Sequence, residues 1–356
     1  MLNLPAHPYA LTMDAPKTIG VMDDPQPELG PQDVRIRTLY SGISAGTEMA
    51  AYRGTSPFLD RKWNPDTRLF EAGAASLSYP MVAAGYEEVG EIEKVGADVT
   101  GLKPGDIIWG SWQHRSHYTA SAAWALARKL PDGLDPVTGI YSHIGAIALN
   151  AVLDARLNLG ETVVIFGLGV PGLIAVQMAV ASGADVIAVD PVPSRRERAL
   201  RYGAVQGLDS GEPDLAHRIR SLTGGRGADC AIEISGHYKA LQMAIRSVAY
   251  NSRVVVSGFF QGDGIGLALG EEFHHNRIQL ICSQISGQAA NLQHRWDRAR
   301  LNGTVFDLAR RGKIDLPDLV TDRYPVAQAD EAFARIDSNP GDILQTVLDF
   351  GGQNDA

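Results

Sequence analysis

A chain of 356 residues with 45% hydrophobic content has room for about two domains of roughly 150 residues, each with its own core. Its net charge of −9 argues against a nucleic-acid partner, which needs a basic face, and against an anionic membrane surface. Two cysteines, Cys230 and Cys282, exclude a disulfide framework and a four-cysteine zinc lobe.

The chain holds no unbroken apolar run of about 18 residues, the length that spans a bilayer. Its start, Met1 to Pro8, lacks the basic and apolar regions of a signal peptide. No membrane attachment and a cytoplasmic location are therefore expected.

Residues 1 to about 140 read as β-rich. Short apolar or alternating runs recur at Val34–Tyr40, Glu88–Val95 and Asp106–Trp109, with Gly and Pro between them, as in Leu102–Asp106. This is the pattern of a small barrel with irregular loops. Residues 53–80 form a long connection carrying Phe58, Trp63, Phe70 and Tyr79. Connections of that length are binding loops, lids or interface elements. His114 and His117 fall on a segment read as a strand edge, as ordinary surface or in contact with a substrate.

From about 143 the rhythm changes to strand–helix alternation, at 162–167, 172–182, 185–190, 194–202, 229–234, 237–247 and 252–258. That order predicts a parallel sheet covered by helices on both faces. A helical stretch with Trp296, Leu301, Phe306 and Leu308 follows and ends near Gly312. The last strand, Gln345–Phe350, has no place in a complete parallel domain, so it is assigned back to the first one. The predicted α/β organisation is a β-rich domain, 1–142 and 286–356, split by a doubly wound domain, 143–285.

The inserted domain opens with the strongest motif in the chain. The apolar run Val163–Phe166 enters Gly167-Leu168-Gly169-Val170-Pro171-Gly172. A helical segment and a second apolar run ending at Asp190 follow. This is the dinucleotide-binding order. Gly167 allows the tight turn, Gly169 lets a pyrophosphate approach the backbone, and Gly172 lets the helix pack on the sheet. The helix start, with Val170 and Pro171 in its first turn, offers unpaired N–H groups to phosphates. Asp190 accepts hydrogen bonds from a ribose 2′-hydroxyl and repels a 2′-phosphate, which favours NAD over NADP. Arg195 either lies along the adenine or meets a 2′-phosphate. Ser235, Ser257, Phe259 and Cys282 close or follow later strands, whose carboxyl ends face the ligand crevice.

Together with Ser41–Glu48 and Gly85–Gly90, these segments carry a resemblance over nearly the whole chain. It is similar to the medium-chain dehydrogenase/reductase superfamily, in the branch of zinc-type alcohol and polyol dehydrogenases. The resemblance implies a Rossmann nucleotide domain inserted in a GroES-like catalytic domain. It also implies a homodimer or homotetramer, with Ile278–Ile281 as the pairing strand of a dimer.

The zinc ligands of such enzymes do not carry over. Ser44 and Ala45 stand where a cysteine ligand is usual, Tyr86 where a histidine is, and Ser142 and His143 near the third position. Glu48, Glu87 and His143 are three potential donors, but with the wrong spacing, so no metal is expected. The pairing of Gly42-Ile43-Ser44 with Gly85-Tyr86-Glu87 resembles a metal-free subgroup that includes the bacteriochlorophyllide hydroxyethyl dehydrogenases. The 53–80 connection and the C-terminal segment depart from that subgroup, so its chemistry carries over and its substrate does not.

The resemblance therefore implies NAD-dependent interconversion of a secondary alcohol and a ketone, with a polyol, cyclitol or ring-bearing alcohol as substrate. Without zinc, protein groups must handle the proton and the charge on the substrate oxygen. Tyr86 at a lost ligand position is the expected donor or base. His143 is the expected proton relay. Thr47 matches a hydroxyl that touches the nicotinamide ribose. Glu87 and Glu48 orient or polarise these groups. Each has a structural alternative: a filler for Tyr86, a satisfied core group for His143, an ion pair for Glu87. The competing functions are an NADPH-dependent quinone or enone reductase, which Asp190 disfavours, and a nucleotide-binding protein with a decayed catalytic site.

Overall fold

The computed structural model describes residues 1–73, 75–83 and 85–351. The chain forms two compact units, 1–143 with 316–356, and 144–315.

The first unit is built on Asp33–Ile43, whose alternating Val34, Ile36 and Thr38 side chains are buried. This strand pairs antiparallel with Glu88–Val95, His117–Ser121 and Gln345–Asp349. Val320–Pro325 adds in parallel at one end, and Ile107–Gly110 joins Glu88–Val95 at the other. The closing strand thus belongs to the first unit, where elimination had assigned it. One apolar cluster gathers Tyr9, Leu11, Met13, Met49, Phe333 and Leu348, and a second gathers Val34, Ile36, Ile92, Ile108 and Trp112. Within the 53–80 connection a two-stranded hairpin, Arg61–Asn64 with Leu69–Ala72, sets Trp63 opposite Phe70.

A register shift between Thr38 and Tyr40 breaks the alternation of the long strand. An extra residue in one strand re-aims the side chains that follow. Beyond it Ser41, Gly42 and Ile43 are all buried, and Ser41 stands opposite Glu88.

The second unit holds a six-stranded parallel sheet. Its spatial order is Gln206–Leu208, Asp185–Val189, Thr162–Phe166, Ala228–Glu233, Val248–Val256, Gln279–Cys282. In chain order that is third, second, first, fourth, fifth, sixth: the doubly wound arrangement with its switch point at the first strand. Val164, Phe166, Ile187, Val189, Ala231 and Val254 fill its core.

The boundary drawn at 285/286 from the sequence moves to 315/316. The helix Arg298–Arg310 packs so closely on Ser142–Ala155 that a Cβ at Gly145 would stand 2.7 Å from the Val305 side chain. The Gln177 amide also binds both backbone groups of Asp315. The helical segment Pro136–Ala155, at 20 residues, is long and apolar enough by composition to cross a membrane. Thr138, Ser142, His143, Asn150 and Asp154 interrupt it, so it is not an unbroken apolar run, and 78% of its apolar window is buried inside the protein, as in a core helix.

Candidate active site

In the second unit the glycine turn has the geometry that cofactor phosphates require. Gly167 has φ +94°, open to glycine without strain. A Cβ at Gly172 would overlap the Gly167 carbonyl oxygen, so no other residue fits there. At Gly169 a Cβ would meet nothing closer than Pro171 Cδ at 3.9 Å, which leaves the backbone open to approach. The helix Val170–Ala181 begins here with no side-chain cap. Its first N–H groups are donors without intrahelical partners.

Asp190 is buried at the end of the second strand, where each carboxylate oxygen accepts one backbone N–H. Leu168 donates at 2.7 Å and Val192 at 2.9 Å. The carboxylate is therefore fixed against the glycine turn with lone pairs left to accept. Arg195 lies in the first turn of the helix Pro193–Arg201. The neighbouring Arg196 clasps this strand end, donating to the Asp190 carbonyl at 2.7 Å and pairing with Asp209 at 3.4 Å.

Ser235 donates to the buried Glu233, which also accepts the N–H groups of Ser235 and Gly236. The Ser257 hydroxyl is buried without a hydrogen-bond partner. Phe259 is 48% exposed, and Cys282 is an exposed free thiol at the end of the sixth strand.

In the first unit the structure brings Ser44, Thr47, Tyr86 and His143 together. The Tyr86 hydroxyl donates to Ser44 Oγ at 2.6 Å, and the Thr47 hydroxyl lies near enough to pull the phenol pKa down against the effect of burial. The His143 ring lies 4.9 Å from the Tyr86 ring. Thr47 is exposed at the start of the helix Thr47–Arg53, while Tyr86 and His143 are half-buried. Burial, reinforced by Glu87 and Glu48, raises the phenol pKa, so Tyr86 keeps its proton throughout the neutral range.

Glu48 and Glu87 are fully buried and face other partners. Glu87 accepts from the Gln345 amide at 3.0 Å. Burial, with repulsion from Glu48, pushes its carboxyl up to about 8. Glu48 accepts the Ser44 N–H at 2.9 Å and pairs with His114 Nε2 at 2.7 Å. Neither carboxylate is an exposed group that meets a substrate directly.

His114 corrects the surface reading of its segment, for its ring is fully buried. Its Nδ1 lies 2.7 Å from Ser41 Oγ, and Ser41 donates to Glu88 at 3.1 Å. Glu88 also accepts the Trp112 N–H at 2.7 Å. Burial opposes charge on His114, but the Glu48 carboxylate and then Glu88 outweigh it and raise its pKa. Burial also pushes the Glu88 carboxyl up to about 8, against the pull of His114. Sequence reasoning missed Ser41, Glu88, Gln345 and the placement of His114. The partners lie 66 residues apart for Glu48 and His114, and 258 for Glu87 and Gln345, so no local pattern marks them.

Zinc fits this arrangement poorly. Ser44 and Tyr86, at two of the usual ligand positions, are neutral oxygen donors bound to each other. Glu48 and Glu87 are held by other partners. Among the described residues no three His, Cys, Asp or Glu groups stand close enough to share an ion.

Residues 169–299 match the family model described as zinc-binding dehydrogenase. The D-guloside 3-dehydrogenase of Escherichia coli (strain K12) is 30% identical over 348 residues, covering 96% of this chain and 99% of the relative. The sorbitol dehydrogenase of Halalkalibacterium halodurans is 25% identical, with 92% and 94% covered. The crystal structure of 2R,3R-butanediol dehydrogenase from Bacillus subtilis superposes with a TM-score of 0.76 at 22% identity, covering 96% of this chain and 99% of that one. With the doubly wound sheet and its glycine turn, these similarities place the chain in the medium-chain dehydrogenase/reductase superfamily, as a nicotinamide-dependent oxidoreductase of the alcohol and polyol dehydrogenase type.

Proposed function

We propose that this protein is an NAD-dependent dehydrogenase that interconverts a secondary hydroxyl of a sugar, glycoside or polyol with a ketone, without a catalytic zinc ion. One observation carries the reading: at the positions where the family places metal ligands, a protonated phenol is hydrogen-bonded to a serine hydroxyl. The substrate class follows from the relatives, one named for oxidation at carbon 3 of a guloside and one for sorbitol.

NAD supplies the hydride acceptor. Gly169 and the helix start at Val170 would hold its pyrophosphate, and Asp190 its adenosine ribose. Asp190 disfavours a 2′-phosphate by charge, and its two backbone N–H bonds keep that charge in place.

The protein's own groups handle the oxygen. Tyr86 remains a phenol, so its role is to donate a hydrogen bond to the substrate oxygen, exchanging Ser44 Oγ for that partner. This stabilises negative charge as it develops on oxygen. In the oxidative direction the hydroxyl proton leaves to a base, and the His143 imidazole, against the Tyr86 ring, is the nitrogen base at that position. Thr47, exposed beside the phenol, carries the proton outward. Glu87 and Glu48 act from beneath by setting the charge around the phenol.

Two copies would associate through the edge strand Gln279–Cys282, whose Leu280 is 38% exposed. An open sheet edge with an apolar side chain suits strand pairing with its mate.

The test is a panel of methyl hexopyranosides, sorbitol and simple secondary alcohols, each offered with NAD and with NADP and followed by nicotinamide absorbance. Turnover of a ring or chain secondary hydroxyl with NAD is expected. Reduction of quinones or enones with NADPH, and no alcohol oxidation, would replace this reading.

A further inference from the structure

Of one fully enclosed polar cluster in the first unit, the mechanism uses Glu48 alone. Glu48, His114, Ser41 and Glu88 are each fully enclosed, yet they form one unbroken chain of contacts. Enclosed ionisable groups are retained only where partners satisfy them, and removing one partner strands the other. The chain is well satisfied. Glu88 accepts from Ser41 and from the backbone N–H groups of Trp112 and Glu87. Glu48 takes His114 on one oxygen and the Ser44 N–H on the other. The Phe333 ring stands edge-on to the His114 ring at 6.0 Å and closes the apolar side.

The chain ends at the catalytic phenol. Ser44, whose N–H is held by Glu48 Oε1 at 2.9 Å, is the residue whose Oγ accepts the Tyr86 hydroxyl at 2.6 Å. Glu48 also sits in the first turn of the helix that opens with Thr47. One carboxylate therefore fixes both the serine turn and the helix start that flank Tyr86.

We propose that His114 is a positioning residue for this reaction: by donating from Nε2 to Glu48 it holds Ser44 in place, and through Ser44 it aims the Tyr86 hydroxyl. This inference rests on the catalytic reading of Tyr86.

Two substitutions separate the contacts of the ring. In His114→Gln the amide nitrogen takes roughly the place of Nε2 and can still donate to Glu48. In His114→Asn it takes roughly the place of Nδ1, and Glu48 loses its partner. The assay is NAD-linked oxidation of the best substrate from the hexoside and polyol panel, on protein whose folded fraction is measured by circular dichroism.

We expect His114→Asn to lower kcat on the order of 10- to 100-fold with KM for NAD little changed, and His114→Gln to recover most of that loss. The decisive readout is the pair with Tyr86→Phe, because residues acting as a unit are not additive. His114→Asn added to Tyr86→Phe should lower kcat no further. A parent-like kcat in His114→Asn, equal losses in the two His114 variants, or a full further loss in the double variant would overturn the proposal. If His114→Asn does not fold, Glu48→Gln, with and without Tyr86→Phe, gives the same comparison and is judged the same way. Tyr86→Phe measured alone tests the catalytic reading itself, so failure of that reading is told apart from failure of this one.

Discussion

Glu87→Gln removes a titratable proton without changing shape, and its effect on stability follows from the surroundings of that carboxyl. Glu87 is 1% exposed, and Gly42 leaves so little room that a Cβ there would stand 2.5 Å from Oε2. Desolvation, and then Glu48, push the Glu87 carboxyl up to about 8 from an ordinary 4.5, against the stabilising hydrogen bond from Gln345. The folded state therefore holds a proton that the unfolded chain has released between those values. In that window the folded state binds more protons than the unfolded one, so stability falls as pH rises from about 4.5 through about 8. At about 1.4 kcal/mol per pKa unit the gap sets an upper figure of about 5 kcal/mol. Glutamine mimics the neutral acid and removes the titration. Urea unfolding of parent and variant at pH 6 and pH 9 reads the difference. The parent should lose a few kcal/mol across that interval, and Glu87→Gln should lose clearly less, with a residual slope from Glu88. Parallel losses in the two proteins would refute the reasoning, since Glu87 would then be ionised in the fold at both pH values.

Two further predictions concern the cofactor. Asp190→Ser should weaken NADH and strengthen NADPH, narrowing or reversing the preference in a fluorescence titration; an unmodified protein that binds NADPH equally well would remove the electrostatic argument. Gly172→Ala should abolish cofactor binding and destabilise the second unit, because its methyl group would overlap the Gly167 carbonyl; normal NADH affinity in a folded variant would contradict the role given to the turn.

The sequence made the second unit legible because its signals are local. The central parallel strands carry short apolar runs, and the glycine spacing and the terminal acid lie within one strand–helix–strand unit; the edge strand Gln206–Leu208, a Gln-Gly-Leu segment, carries no such signal and was not foreseen. The fate of Gln345–Asp349 was also legible, by elimination, since the parallel domain was complete without it. The helix Arg298–Arg310 was misassigned because an amphipathic pattern says that a face is buried and not which neighbour buries it.

At the candidate site, Tyr86, Ser44, Thr47 and His143 were proposed from motif position, and the structure brings them together. The groups behind them were not. Ser41 looks like an ordinary strand residue until the register shift after Thr38 turns it inward. His114 sits beside Arg115 in a polar segment that reads as surface, and only the fold brings it to Glu48. Buried polar networks of this kind are assembled by topology from residues with no pattern of their own.

The central claim is that a phenol does the work at the substrate oxygen that a metal ion does in zinc-dependent relatives. The most direct measurement is kcat for Tyr86→Phe beside the parent, on protein purified without chelator and analysed for metal. The substitution removes one hydroxyl and keeps the ring against His143. A fall on the order of 10²–10³-fold, the usual cost of removing one hydrogen-bond donor to an oxygen on which charge develops, with NADH affinity little changed and no stoichiometric zinc, is the predicted result. Parent-like turnover in Tyr86→Phe, or about one zinc per chain with activity lost on chelation, would contradict the account.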